Sequence, residues 1–67
     1  MEKYTLYLYE NNRIRIQKSD YIEYGFIVEI MNDIISLIEI PYGGGKEAFI
    51  AEFKTVQQAI IAGELLT

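Results

Sequence analysis

The sequence predicts an α+β fold: an antiparallel β-meander of about four to five strands packed on one C-terminal α-helix. Short apolar stretches of strand length alternate with turn-forming Asn, Asp, Gly and Pro residues along most of the chain. Many apolar positions are Ile or Val, whose branched side chains suit a pleated surface better than a helix. The final stretch differs, because it begins with a helix-capping signal and continues with good helix formers.

The first two strands are predicted over residues 4–9 and 13–17, joined by a tight hairpin turn. The central Asn11 and Asn12 tolerate the positive φ that a type I′ turn requires at both positions. A two-residue turn places Tyr9 opposite Ile14, whereas a three-residue loop would swap the two faces of one strand. We favour the two-residue turn, although the sequence leaves both registers open.

The middle of the chain predicts two more strands, over residues 22–31 and 34–40, with a turn at Asn32-Asp33. The many Ile and Val residues favour strands, and Gly25 is natural as a bend in a long strand. A helix is the alternative, because polar residues recur in this segment at a spacing of three to four positions. That polar stripe consists of Glu29, Asn32, Asp33, Ser36 and Glu39.

Residues 41–46 form a predicted loop, since Pro41 cannot continue a central strand and three glycines follow it closely. A last strand is predicted over residues 48–53. The helix then begins at Thr55, whose side chain can accept a hydrogen bond from the Gln58 N–H in a capping box. Its apolar stripe should pack on one sheet face and consists of Val56, Ala59, Ile60, Gly63 and Leu66.

Composition excludes several classes of function. The 67 residues make one small domain, residues 1–67, with a formal net charge of −4. Cysteine and histidine are absent from the sequence, which excludes disulfides, thiolate and imidazole catalysis and the usual zinc ligands. We expect no enzyme activity, no cofactor and no metal. Because no apolar run reaches the roughly 18 residues of a membrane span, we expect a cytoplasmic protein without a membrane partner.

Three groups of residues are candidate binding sites. An acidic face would dock on a basic protein groove and consists of Glu23, Glu29, Asp33 and Glu39. A flexible loop would close over a small anion and consists of Tyr42, Gly43, Gly44, Gly45 and Lys46. An aromatic–cationic hairpin would stack on bases and consists of Tyr7, Tyr9, Arg13 and Arg15. The plainer interpretations are a solvated face, a simple hairpin loop and cross-strand packing.

The middle strands are apolar on both faces, although one short helix can cover only one of them. Burying each large aliphatic side chain is worth about 1.5–3 kcal/mol, so we expect the surplus apolar surface to be covered. The helix shows the same surplus on the side that faces away from the sheet. We therefore predict a homodimer or higher homo-oligomer whose interface includes Ile27, Ile38, Ile61 and Leu65.

The function that these patterns favour is a non-enzymatic protein-binding module that acts as a homo-oligomer. Very small acidic α+β proteins without catalytic groups are common among phage and mobile-element products that inhibit host defence proteins, which suggests an inhibitor of such a partner. The first alternative is an oligomer that binds a small nucleotide-like anion. The second is single-stranded nucleic-acid binding through the Tyr/Arg hairpin, which the acidic net charge disfavours.

Overall fold

The computed structural model describes residues 5–18, 24–43 and 45–67, so residue 4 and residues 22–23 of the predicted strands lie outside it. Its elements are β1 Thr5–Glu10, β2 Arg13–Lys18, β3 Gly25–Met31, β4 Ile34–Ile40, β5 Ala48–Phe53 and α1 Val56–Leu66. The strands form one antiparallel sheet in the order β1-β2-β3-β4-β5, so each strand pairs with its neighbours in sequence. The predicted α+β meander with one C-terminal helix is confirmed.

The first hairpin has the two-residue turn and the predicted register, with Tyr9 opposite Ile14. Its turn is not the predicted type I′, because only the first central residue, Asn11, has a positive φ, of 53°. Asn12 is held against β3 instead. Its carbonyl oxygen accepts the Ile30 N–H at 2.9 Å, and its Nδ2 donates to the Ile30 carbonyl at 2.7 Å. These two bonds continue the pairing of β2 with β3 into the turn.

The middle segment forms two strands, so the helical alternative is wrong. The turn residues Asn32 and Asp33 both have positive φ, 50° and 65°, as a type I′ turn requires. Gly25 is the first residue of β3, and a Cβ atom there would lie only 2.5 Å from the Ile16 carbonyl oxygen. The close approach of the neighbouring backbone, rather than the predicted bend, is therefore what requires glycine.

The helix covers one face of the sheet, and Thr55 caps it by accepting the Gln58 N–H at 3.1 Å. The buried core beneath the helix consists of Ile16, Phe26, Val28, Leu37 and Ala59. The prediction that Leu66 packs on this core is wrong, since its side chain is 53% exposed. Leu65 beside it is 82% exposed, so the last turn extends past the covered part of the sheet. Ala62 packs on the core as well.

The face of the sheet opposite the helix is here called the open face. Strand register assigns Arg15, Ile27 and Ile38 to it, one residue from each of the three central strands. At the far edge, β5 is irregular, because Leu37 pairs with Ala51 while Ile38 pairs with Phe49. One extra residue of β5 is therefore inserted as a β-bulge, which locally disturbs the pairing and twists this edge.

Candidate functional site on the open face

A row of apolar side chains crosses the open face through all five strands, with one arginine in it. The paired positions are Leu8, Arg15, Ile27, Ile38 and Phe49. The two ends are exposed, Leu8 to 50% and Phe49 to 63%, whereas the central Ile27 is only 5% exposed. Met31 and Ile34, beside the second turn, add a further apolar corner that is about half exposed. This apolar surface lies away from the helix.

A second row of paired residues, next to the first, is polar and acidic. It runs through Glu10, Arg13, Glu29, Ser36 and Glu52. Three carboxylates therefore share the row with one guanidinium group. Because adjacent positions on one face lie within about 5 Å of each other, the charges of this row act together as one negative stripe.

Arg13 is the centre of the polar row. Its Nε lies 3.2 Å from Glu29 Oε2, and its Nη2 donates to Glu47 Oε1 at 2.7 Å. The Nε atom is buried without a well-directed hydrogen bond, so the Glu29 contact is an ion pair rather than a hydrogen bond. Since the three side chains are 26–47% exposed, each pair is worth at most about 1 kcal/mol. The Glu47 contact ties the loop before β5 to the sheet.

This loop contact closes a shallow concavity of about 300 Å³ on the open face. Its wall combines apolar, cationic and anionic groups. The lining residues are Leu8, Tyr9, Glu10, Arg13, Arg15, Ile27, Ile40 and Glu47. A volume of this size is at the lower end of small-ligand sites.

Two tyrosines bond to carboxylates on the other side of the sheet. Tyr7 Oη donates to Glu64 Oε1 at 2.6 Å, and this hydrogen bond, more than partial desolvation, raises the pKa of Tyr7. Tyr24 Oη lies 3.4 Å from Glu39 Oε2. Desolvation is the main cause that raises the pKa of Tyr24, and the negative charge of Glu39 raises it further. Both phenols are held in the neutral, donating form, and the Tyr7 bond joins β1 to the helix.

The predicted acidic face is not assembled as one surface. Glu29 lies on the open face beside Arg13, whereas Glu39 is bonded by Tyr24 on the helix-covered face. Asp33 is exposed in the second turn, and Glu23 lies outside the described residues. The structure instead brings Glu29 together with Glu10 and Glu52. The row follows from counting residues outward from the two turns, except for Glu52, whose position depends on the bulge.

The predicted aromatic–cationic hairpin is divided between the two faces. Tyr7 and Tyr9 share the helix-covered face with Ile14 and Ile16, whereas the two arginines, Arg13 and Arg15, are assigned to the open face. A base stacked on the tyrosines would therefore not have both guanidinium groups beside it. The two-residue turn decides this, because each face of a strand takes alternate residues.

The predicted interface residues also fall on two separate surfaces. Ile27 and Ile38 pair with each other on the open face, but Ile27 is already buried within one chain. Ile61 and Leu65 lie on the outer side of the helix, 49% and 82% exposed.

The predicted ligand loop exposes Tyr42, Gly43, Gly45 and Lys46, while Gly44 lies outside the described residues. Gly43 has a φ of 88°, which favours glycine. The residue that the sequence did not single out is Glu47, which directly follows Lys46 and reaches Arg13. The loop's contribution to the open face is therefore a carboxylate.

Comparison with known proteins found no matching family model, no similar curated protein and no similar solved structure. Within the described residues, no helix is long and apolar enough to cross a membrane. In the same part of the chain, no group of three or more acidic side chains is arranged to hold a metal ion.

Proposed function

We propose that the protein is a non-enzymatic binding module that docks its open face on a partner protein, and that it inhibits or adapts that partner by occupying its surface. The observation that carries the proposal is the apolar row left uncovered by the helix, with the acidic row beside it. The row is exposed at Leu8 and Phe49, and apolar side chains exposed beside a charged stripe are typical of a protein interaction site. A protein of a phage or mobile element that blocks a host defence protein fits this description.

The charge of the open face specifies the chemistry of the partner. Glu10 and Glu52 stand at the two edges of the acidic row, while Arg13 is already paired with Glu29 and Glu47. The surplus charge of this face is therefore negative. We propose a partner surface with apolar side chains bordered by Lys or Arg, because complementary charge speeds association and rejects wrong partners.

The test measures how much of a stoichiometric partner protein is captured from a host-cell lysate by the wild type and by each variant. The double variant Leu8→Ser with Phe49→Ser removes both exposed ends of the apolar row. We expect it to reduce capture at least about tenfold, because these are the two most exposed apolar side chains of the row and removing each loses about 1.5–3 kcal/mol of burial. The control is Leu65→Ser, which removes a more exposed leucine from the helix and should bind like the wild type.

A charge variant tests the second half of the proposal. Glu52→Lys should weaken capture of the same partner and reduce the salt dependence of its association rate. Equal capture by the wild type and both open-face variants would show that this face is not the docking surface.

The concavity supports a second candidate function, the binding of a small anion. Such a ligand would displace Glu47 from Arg13 and gain a guanidinium partner in its place. Glu47→Gln should then tighten binding of a nucleotide, because the competing carboxylate is gone. Thermal-shift measurements with nucleotides and cyclic dinucleotides on the wild type and Glu47→Gln would decide it, and no stabilisation of either protein would contradict it.

A further inference from the structure

The outer edge of β1 is the second surface of interest. Within the described residues β1 pairs with β2 alone, and its residues from Tyr7 onward are exposed. Residues 5–9 carry no charged side chain, no proline and no bulge, which are the usual devices that prevent edge pairing, and the one charged residue of β1, Glu10, stands at its end. The opposite edge strand, β5, has both a bulge and Glu52. The two edges of the sheet therefore differ in their capacity to accept another strand.

One hydrogen bond at the end of the β2–β3 pairing shows which backbone groups of β1 point towards β2 and which point outwards. Ile30 N–H donates to Asn12 O, which lies just outside the Arg13–Glu29 pair. In an antiparallel ladder this pattern marks Arg13 and Glu29 as a non-hydrogen-bonded pair. The N–H and C=O of Arg13 therefore point towards β1, where Arg13 faces Glu10.

Because the two kinds of pair alternate along the ladder, the direction of the backbone groups follows for every residue of β1. Glu10, Leu8 and Leu6 direct their backbone groups towards β2, because hydrogen-bonded and non-hydrogen-bonded pairs alternate. The residues between them, Thr5, Tyr7 and Tyr9, direct their N–H and C=O groups outwards. The free edge therefore presents three residues at the spacing of a strand, ready to bond an antiparallel strand.

We propose that this edge pairs with β1 of a second copy of the chain, in antiparallel orientation, with the two-fold axis at Tyr7. In this register Tyr7 faces Tyr7 of the second copy, and Thr5 faces Tyr9 of the second copy. All the outward groups of residues 5–9 are then used, and Leu6 faces Leu8 of the second copy on the open face. The two sheets become one continuous sheet.

Self-pairing is favoured over other occupants by the symmetry of the pattern. A two-fold interface requires a surface that complements itself, and the Thr5–Tyr9 segment does so without placing like charges opposite each other. The helix packs over β2 to β5 and reaches β1 through the Tyr7–Glu64 hydrogen bond, so the two helices lie on the same face, one on each side of the new seam. Of the apolar row on the open face this interface involves only Leu8, and the backbone pairing does not depend on the proposed docking function.

The first test is the oligomeric state of the full chain, measured by sedimentation across micromolar concentrations. The wild type should be a dimer. Tyr7→Pro removes the outward N–H at the axis from both copies, and proline is tolerated in an edge strand where its missing N–H faces solvent. We expect at least about a tenfold increase in the dimer dissociation constant. The matched control Tyr7→Val keeps the N–H and the strand and should remain dimeric.

The second test uses single cysteines, since the natural chain contains none. Residues of a hydrogen-bonded antiparallel pair have Cα atoms about 5.5 Å apart, within disulfide reach. Under mild oxidation Tyr7→Cys should form a covalent dimer quickly, whereas Leu65→Cys on the helix and Phe49→Cys on the open face should not.

Three results would overturn the proposal: a wild type that is monomeric throughout, an unchanged dimer in folded Tyr7→Pro, or rapid cross-linking at Leu65 or Phe49 instead of Tyr7. The cysteine series remains decisive if the proline variant does not fold. Loss of edge pairing would leave the open face intact, so failure here is distinguishable from failure of the docking function.

Discussion

At the residue scale, Gly25 shows how one position supports the whole sheet. It begins β3 next to β2, where a Cβ atom would lie 2.5 Å from the Ile16 carbonyl oxygen and 3.0 Å from Gln17 Cβ. The first of these neighbours is backbone and cannot move without disturbing the pairing of the two strands. A side chain at position 25 would therefore push β3 away from β2, and both strands carry core residues.

We expect Gly25→Ala to lower the free energy of unfolding by about 1–3 kcal/mol, because the added methyl group forces backbone movement. Gly63→Ala is the comparison. There the new methyl meets side-chain atoms rather than backbone, Ile16 Cδ1 at 2.9 Å and Leu37 Cδ1 at 3.4 Å, and alanine favours the helix by about 1 kcal/mol. Urea denaturation should show a smaller loss for Gly63→Ala than for Gly25→Ala. The reverse order would contradict this account.

The raised pKa values of Tyr7 and Tyr24 predict how stability depends on alkaline pH. The neutral phenols are favoured in the folded chain, so their contribution is complete below the unfolded pKa of about 10 and is lost as pH rises through the folded value. We expect the free energy of unfolding to fall above about pH 10. In the double variant Tyr7→Phe with Tyr24→Phe, denaturation curves measured across that range should show a shallower fall.

At the element scale, local signals at the element boundaries predicted the start of α1 and the turn between β3 and β4. The Thr55 cap sets the start of α1, and Asn32-Asp33 sets the turn between β3 and β4. The first turn departs from its expected type because Asn12 bonds to Ile30, a residue distant in sequence. In this turn local propensity predicted the position but not the type, because β3 also contacts Asn12.

The cap gives a prediction for the helix. Thr55→Ala should lower the free energy of unfolding by about 1 kcal/mol, because the Gln58 N–H loses its acceptor. Thr55→Ser keeps a hydroxyl in the same place and should stay within about 0.5 kcal/mol of the wild type. Urea denaturation of the three proteins measures the difference. Equal losses in both variants would show that the hydroxyl is not the stabilising group.

At the scale of the whole molecule, stability depends on a single thin core. A chain of 67 residues has a free energy of unfolding of about 3–10 kcal/mol. The largest fully buried side chains are Ile16, Leu37 and Val28, one on each central strand. The loss of one such side chain is therefore large compared with the total.

Leu37→Ala should remove about 2–5 kcal/mol and lower the thermal unfolding midpoint by at least about 10 °C, because Leu37 is fully buried beneath the helix. Leu65→Ala is the matched control, since that leucine is 82% exposed and its loss should cost less than about 0.5 kcal/mol. Circular dichroism with thermal unfolding compares the two. A cooperative, near-native transition in Leu37→Ala would contradict the single-core description.

The sequence by itself predicted the elements of this protein and their order, and it favoured the observed register of the first hairpin, because these depend on residues close together along the chain. Only the tertiary structure decided which side chains share a surface. The predicted acidic residues were divided between faces, and the row of Glu10, Glu29 and Glu52 was assembled from three strands. The position of Glu47 depends on the path of a glycine-rich loop. Such loops have no hydrophobic period from which their path can be predicted.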